Sequence, residues 1–109
     1  MEMKKLIAAI KRHSGMENDQ IIEAGEHGAD AGWPGFTYTN EAAEFYQKNK
    51  DAIWELLNEE SDNQGVPVLD LIASFHRKDM VGDASQFENL LAWFALEEAG
   101  RYLAGERGE

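Results

Sequence analysis

Between residues 87 and 103 apolar side chains cover more of a helix than one packing partner could bury. Phe87, Leu90, Leu91 and Phe94 make one stripe at helical spacing, and Trp93, Leu96 and Leu103 flank it. An apolar face that wide has to be covered on two sides, so this segment is expected to be a central helix. Nowhere does the chain alternate apolar and polar residues with the period of two that marks a half-buried strand. The expectation is an all-α fold, a compact bundle of four or five helices around one core. With 109 residues there is room for a single domain.

The other helices follow from the same periodicity. Residues 2–13 place Met3, Leu6, Ile7 and Ile10 on one stripe, and Gly15 is a natural stop. Ser14-x-x-Glu17 has the form of a capping box, which would start a second helix over 17–27. That helix is weak, since only Ile21, Ile22 and Ala24 are apolar and Gly25 interrupts it. Residues 28–39 form a loop with Pro34-Gly35 at the centre of a type I or type II turn. A long helix over 41–60 carries Ala42, Phe45, Tyr46, Ile53, Leu56 and Leu57, with Asn49 in the gap. Ser61 to Gly65 should end it as a polar loop, and Pro67 should open a helix over 67–77 with Val68, Leu69, Ile72 and Phe75 inward. Overlapping capping boxes, Asp83-x-x-Gln86 and Ser85-x-x-Glu88, start the last helix, over 83–103.

Charge divides the chain into three parts. Residues 1–13 are basic through Lys4, Lys5, Lys11 and Arg12; residues 14–65 carry twelve carboxylates against two lysines; residues 66–109 are mildly acidic. The acidic block holds most of the formal charge of −11. So negative a surface repels nucleic acid and attracts basic protein surfaces. The plain account of the asymmetry is a basic first helix laid against an acidic body.

Patterns that would carry chemistry are sparse. There is no Cys, so disulfides, thiolate catalysis and Cys-based zinc sites are excluded. His13, His27 and His76 stand in three separate segments. Glu23, Glu26, His27 and Asp30 cluster locally, where a metal site is conceivable, but the reading preferred is a solvated acidic helix end with a surface His. Glu97-Glu98, inside the apolar final helix, could supply a buried carboxylate; one of the pair is expected to face solvent and the other the helix edge or Arg101. No phosphate-cradling Gly loop, dinucleotide fingerprint or nucleophile elbow is present. No catalytic residue, metal or cofactor is assigned. The apolar run at residues 6–10 is too short for a signal peptide core or a membrane span, so an intracellular, cytoplasmic protein is expected.

Three segments are familiar together: 35–46, GFTYTNEAAEFY; 68–75, VLDLIASF; and 89–98, NLLAWFALEE, the most specific. The chain resembles, over residues 32–104, a family of small uncharacterised proteins encoded by phages, prophages and other mobile elements. The resemblance implies an accessory protein expressed inside a bacterium and supplies no functional residue. Small acidic accessory proteins of phages often bind host machinery, restriction and CRISPR effectors included.

The reading that results is a non-enzymatic interaction protein that binds a basic host or phage protein through its acidic middle helices. Inhibition of a nucleic-acid-handling defence complex is its sharper form. Expected partner-binding residues are Glu23, Glu26, Asp30, Trp33, Glu44, Asp51 and Glu55. Trp33, Phe36 and Tyr38 either plug one end of the core or anchor a partner, with Phe36 the residue expected to be buried and Trp33 reachable. Trp54, off the apolar line of its helix, is expected to be a partly exposed anchor. Two alternatives stand beside this reading. One is a small metal-dependent enzyme using Glu23, His27, Glu97 or Glu98; the other is a homo-oligomer, such as a homodimer, built through the final helix or the exposed aromatics.

Overall fold

Five helices run α1 (Met3–Ser14), α2 (Asn18–His27), α3 (Thr39–Gln64), α4 (Val68–Asp79) and α5 (Phe87–Glu106). The structure, a computed structural model, describes residues 2–27, 33–36, 39–79 and 87–106; there is no strand among them. The all-α expectation holds. The expected capping boxes at 83–88 begin outside the described residues, as do Asp30 and Tyr38.

Helix α5 is the axis of the bundle. From Asn89 to Gly100 every residue but Glu98 is buried, and α1, α2, α3 and α4 all pack against it. The width of its apolar face is thus the cause of the architecture: no single neighbour could cover Leu91, Trp93, Phe94 and Leu96 together. Phe87, expected on the buried stripe, is the first residue of the helix and is 41% exposed, with its ring 6.5 Å from that of Trp54 on α3.

The α2–α5 crossing depends on two glycines. A Cβ on Gly100 would lie 2.4 Å from the Ile21 carbonyl oxygen and 2.9 Å from the Gly25 Cα, and a Cβ on Gly25 would lie 3.0 Å from the Gly100 Cα. All three obstacles are backbone, which cannot swing aside. Gly25 therefore does not interrupt α2 as expected. It sits inside the helix and lets the two backbones touch, and Ile21, Ile22 and Ala24 are buried as a result. Tertiary packing outweighs the helix propensity lost at this glycine.

Local chemistry at the helix ends departs from expectation in informative ways. Ser14 is the last residue of α1, where its Oγ donates to the Ile10 carbonyl at 2.7 Å and accepts the Met16 N–H at 3.1 Å. It does not open α2. The Gln20 Oε1 instead accepts the Glu17 N–H at 2.9 Å, the backward half of a capping box shifted three residues along. Gly15 stops α1 in the left-handed conformation, as read. Helix α3 does not end at residue 60. It runs on through the polar residues to Gln64, where the Gly65 and Val66 N–H groups both bond the Ser61 carbonyl and Ser61 Oγ bonds the Val66 carbonyl.

Two further corrections concern side chains. In α4 the inward stripe is Leu71, Ile72 and Phe75; Leu69 is 74% exposed, one residue off the stripe that the sequence reading drew. Helix α3 is bent at Asn49 (φ −128°, ψ 18°), whose Nδ2 donates to the Phe45 carbonyl at 3.0 Å. That side chain occupies the acceptor that the α-helical ladder assigns to the Asn49 N–H, and such insertion is a recognised origin of kinks.

Candidate functional site

Carboxylates along α3 supply the best-defined charged surface of the described residues. On an ideal helix of 3.6 residues per turn, positions 51, 55 and 62, all beyond the bend at Asn49, project within about 40° of one direction. Ala42, Phe45, Tyr46, Ile53, Leu56 and Leu57, all buried, project from the opposite side. The burial of one face therefore forces the other outward, and Glu44, Asp51, Glu55 and Asp62 are all exposed. Beyond the kink, Asp51 to Asp62 covers about 16 Å of helix at 1.5 Å per residue.

Glu44, at the near end of this row, is bonded by Lys48 Nζ at 2.9 Å, one helical turn on. That hydrogen bond and the lysine charge, with a smaller pull from His13, hold the Glu44 carboxyl below its ordinary range. Lys48 thus neutralises the start of the row, and the acidic character concentrates in its second half.

The other sequence-expected residues are placed elsewhere. Glu23 and Glu26 are exposed on α2, which docks on α5 through the glycine crossing and not beside α3. Asp30 lies outside the described residues. Trp33 is half-buried against the core. The six described residues of the expected seven are therefore distributed over two helices and a turn. Asp62 was missed because the sequence reading ended the helix two residues before it. The spacing of seven, four and seven from Glu44 was the signal that could have found it.

The aromatic turn closes the core. Phe36 N–H bonds the Trp33 carbonyl at 3.0 Å, with Pro34 and Gly35 (φ +76°) between them, which is the type II form. Phe36 is 1% exposed and packs with ring centroids 5.1 Å from Phe45, 5.5 Å from His13 and 5.9 Å from Trp93. Its carbonyl accepts the buried Trp93 Nε1–H at 3.1 Å, and the Gly35 carbonyl accepts His13 Nε2–H at 2.9 Å. For Phe36 the plug is the correct alternative. Trp54 is half-buried, with its Nε1–H on the Tyr46 hydroxyl at 2.8 Å.

Residues 3–109 match the family described as Domain of unknown function (DUF7222). The chain belongs to that family. The match includes α1, which the sequence-level resemblance left out. No curated protein and no solved structure matches the chain.

Two candidate chemistries of this DUF7222 domain remain to be placed. Glu97 is turned inward, 2% exposed, with Oε1 3.7 Å from Arg101 Nη2, while Arg101 Nη1 donates to Glu98 Oε1 at 2.6 Å. Both carboxylates thus engage Arg101, and neither points freely into solvent as one was expected to. Among the described residues no three His, Asp or Glu side chains gather as a metal would require. Among those residues, too, no helix is long and apolar enough to cross a membrane.

Proposed function

We propose that this domain is a non-enzymatic docking module that binds a basic protein through the carboxylate row of α3. The observation that carries the reading is the alignment of Asp51, Glu55 and Asp62 on the solvent face of one helix, opposite its buried face. Aligned carboxylates at intervals of one and two helical turns match arginines and lysines presented by a groove or a partner helix. Glu23 and Glu26, on α2, are outside this contact. The sharper form of the proposal names the partner class as a nucleic-acid-handling defence complex of a bacterial cell. It rests on the sequence resemblance to proteins of phages and mobile elements and on the basic grooves such complexes present.

The test compares the wild-type domain with the triple variant D51N/E55Q/D62N in capture from a bacterial lysate, followed by titration of the purified partner. The partner should be basic, its affinity should fall steeply between about 50 and about 500 mM salt, and the triple variant should lose it. Equal affinity at both salt concentrations, or full retention by the triple variant, would remove the α3 row as the contact.

A further inference from the structure

The bend at Asn49 borders a groove between α1 and α3, and one end of that groove is lined by basic side chains in an otherwise acidic molecule. At one end a cavity of about 280 Å³ is lined by Arg12, His13, Lys48, Asn49 and Ala9. Ala9, Arg12 and Asn49 also border the adjoining part, of about 590 Å³, which has Leu6 and Ala52 on its floor and Glu2, Lys5 and Glu55 at its edges. Together the two parts fall in the size range of small-molecule sites.

We propose that this groove binds a small organic phosphate, with the phosphoryl group in the Arg12–His13–Lys48 cavity and the organic part along the Leu6–Ala52 floor. Arg12 is exposed and makes no ion pair or hydrogen bond among the described residues, so its guanidinium fork is available to a planar pair of oxygens. Lys48 spends one donor on Glu44 and has two more. The imidazole of His13 is oriented from behind. A carbonyl can only accept, so Nε2 carries the hydrogen bonded to Gly35, and that edge of the ring lies against the Trp33–Phe36 turn. The Nδ1 edge is the one left for the cavity, where the neutral ring accepts a hydrogen bond from a P–OH and the protonated ring donates one to a phosphoryl oxygen.

A chain of formal charge −11 repels anions at long range. At about 0.1 M salt that repulsion is screened beyond about 10 Å, while contacts at hydrogen-bond distance inside the cavity are screened much less. The carboxylates Glu2 and Glu55, at the far end of the groove, can accept from hydroxyl or amino groups of the ligand and would reject a second phosphate there. This favours a monoester over a polyanion. The proposal shares Glu55 with the α3 docking reading but stands on the Arg12–His13–Lys48 cavity, which that reading does not use.

Amide and side-chain NMR shifts should be followed while inorganic phosphate, pyrophosphate, adenosine 5′-monophosphate or sodium chloride at matched ionic strength is added. The expected result is saturable movement of Arg12, His13, Lys48 and Asn49 with phosphate, with Kd of about 1 mM or below. The monophosphate should bind more tightly than inorganic phosphate and also move Leu6 and Ala52. Arg12→Gln, an exposed substitution that leaves the core untouched, should weaken binding at least tenfold, whereas Lys11→Gln, outside the cavity, should leave it unchanged. Glu44→Gln should tighten it by releasing Lys48. Shifts reproduced by chloride, no saturation, or equal losses in the Arg12 and Lys11 variants would overturn the site. Binding of inorganic phosphate with no gain from the organic part would overturn the assignment of the floor.

Discussion

Glu44 shows how one neighbour sets the behaviour of an exposed carboxylate. Its pKa is lowered chiefly by the Lys48 hydrogen bond, then by the lysine charge, with His13 adding a little. A carboxyl whose folded-state pKa is depressed contributes stability above its unfolded pKa and loses it as pH falls through the folded value. The stability difference between wild type and Glu44→Gln should therefore be present at neutral pH and vanish at strongly acid pH. By NMR titration, Glu44 should titrate below the ordinary glutamate range, and Lys48→Met should return it to that range. A Glu44 midpoint unchanged in the lysine variant would show that the pair does not persist in solution. Lys48 and Glu44 could be paired from sequence, being four apart on a helix. The approach of His13 could not, because it comes from another helix.

For whole elements, the α2–α5 contact makes the sharpest claim. Gly100→Ala puts a methyl group 2.4 Å from a backbone oxygen, so the helices must separate along their line of contact. A destabilisation of about 2–3 kcal/mol is expected, in the range of overpacked cores. Gly105→Ala meets nothing within 4 Å, so in the same α5 it should be neutral or stabilising by up to about 1 kcal/mol. Urea denaturation of the two variants checks the contrast; equal effects would mean that the glycines matter only through helix propensity. The sequence reading took Gly25 as a break because propensity is all that a single segment displays. What makes the glycine useful is a second backbone 75 residues away in the chain. Leu69 fails for a related reason. On α4 the apolar residues allow two stripes one residue apart, and the positions of α3 and α5 together select Leu71 over Leu69.

At the scale of the whole molecule, four helices pack round α5, and the Trp33–Phe36 turn seals the α1 end of the core through His13 and Trp93. A helix buried along most of its length can expose its amides only when the bundle opens as a unit. Hydrogen exchange should therefore be slowest for residues 90–99 of α5, approaching the rate of global unfolding, and faster in α4, whose outer face carries exposed Leu69, Ala73 and Ser74. Faster exchange in α5 than in α1 or α3 would contradict its central place.

The all-α class and the central position of the last helix were legible in the order of residues alone, because helical periodicity and the width of an apolar face are properties of one segment. So was the amphipathic character of α3, which turns Asp51 and Glu55 outward once Ile53, Leu56 and Leu57 go in. Which carboxylates share a surface was not legible. The acidic block is continuous along the chain, yet α2 and α3 dock separately on α5, so neighbours in sequence part company in space. Conversely, Arg12, His13, Lys48 and Asn49 come from two distant segments and meet only because α1 lies along the bend of α3. Charges and side-chain types belong to the residues; the distances between them are set by how the helices pack.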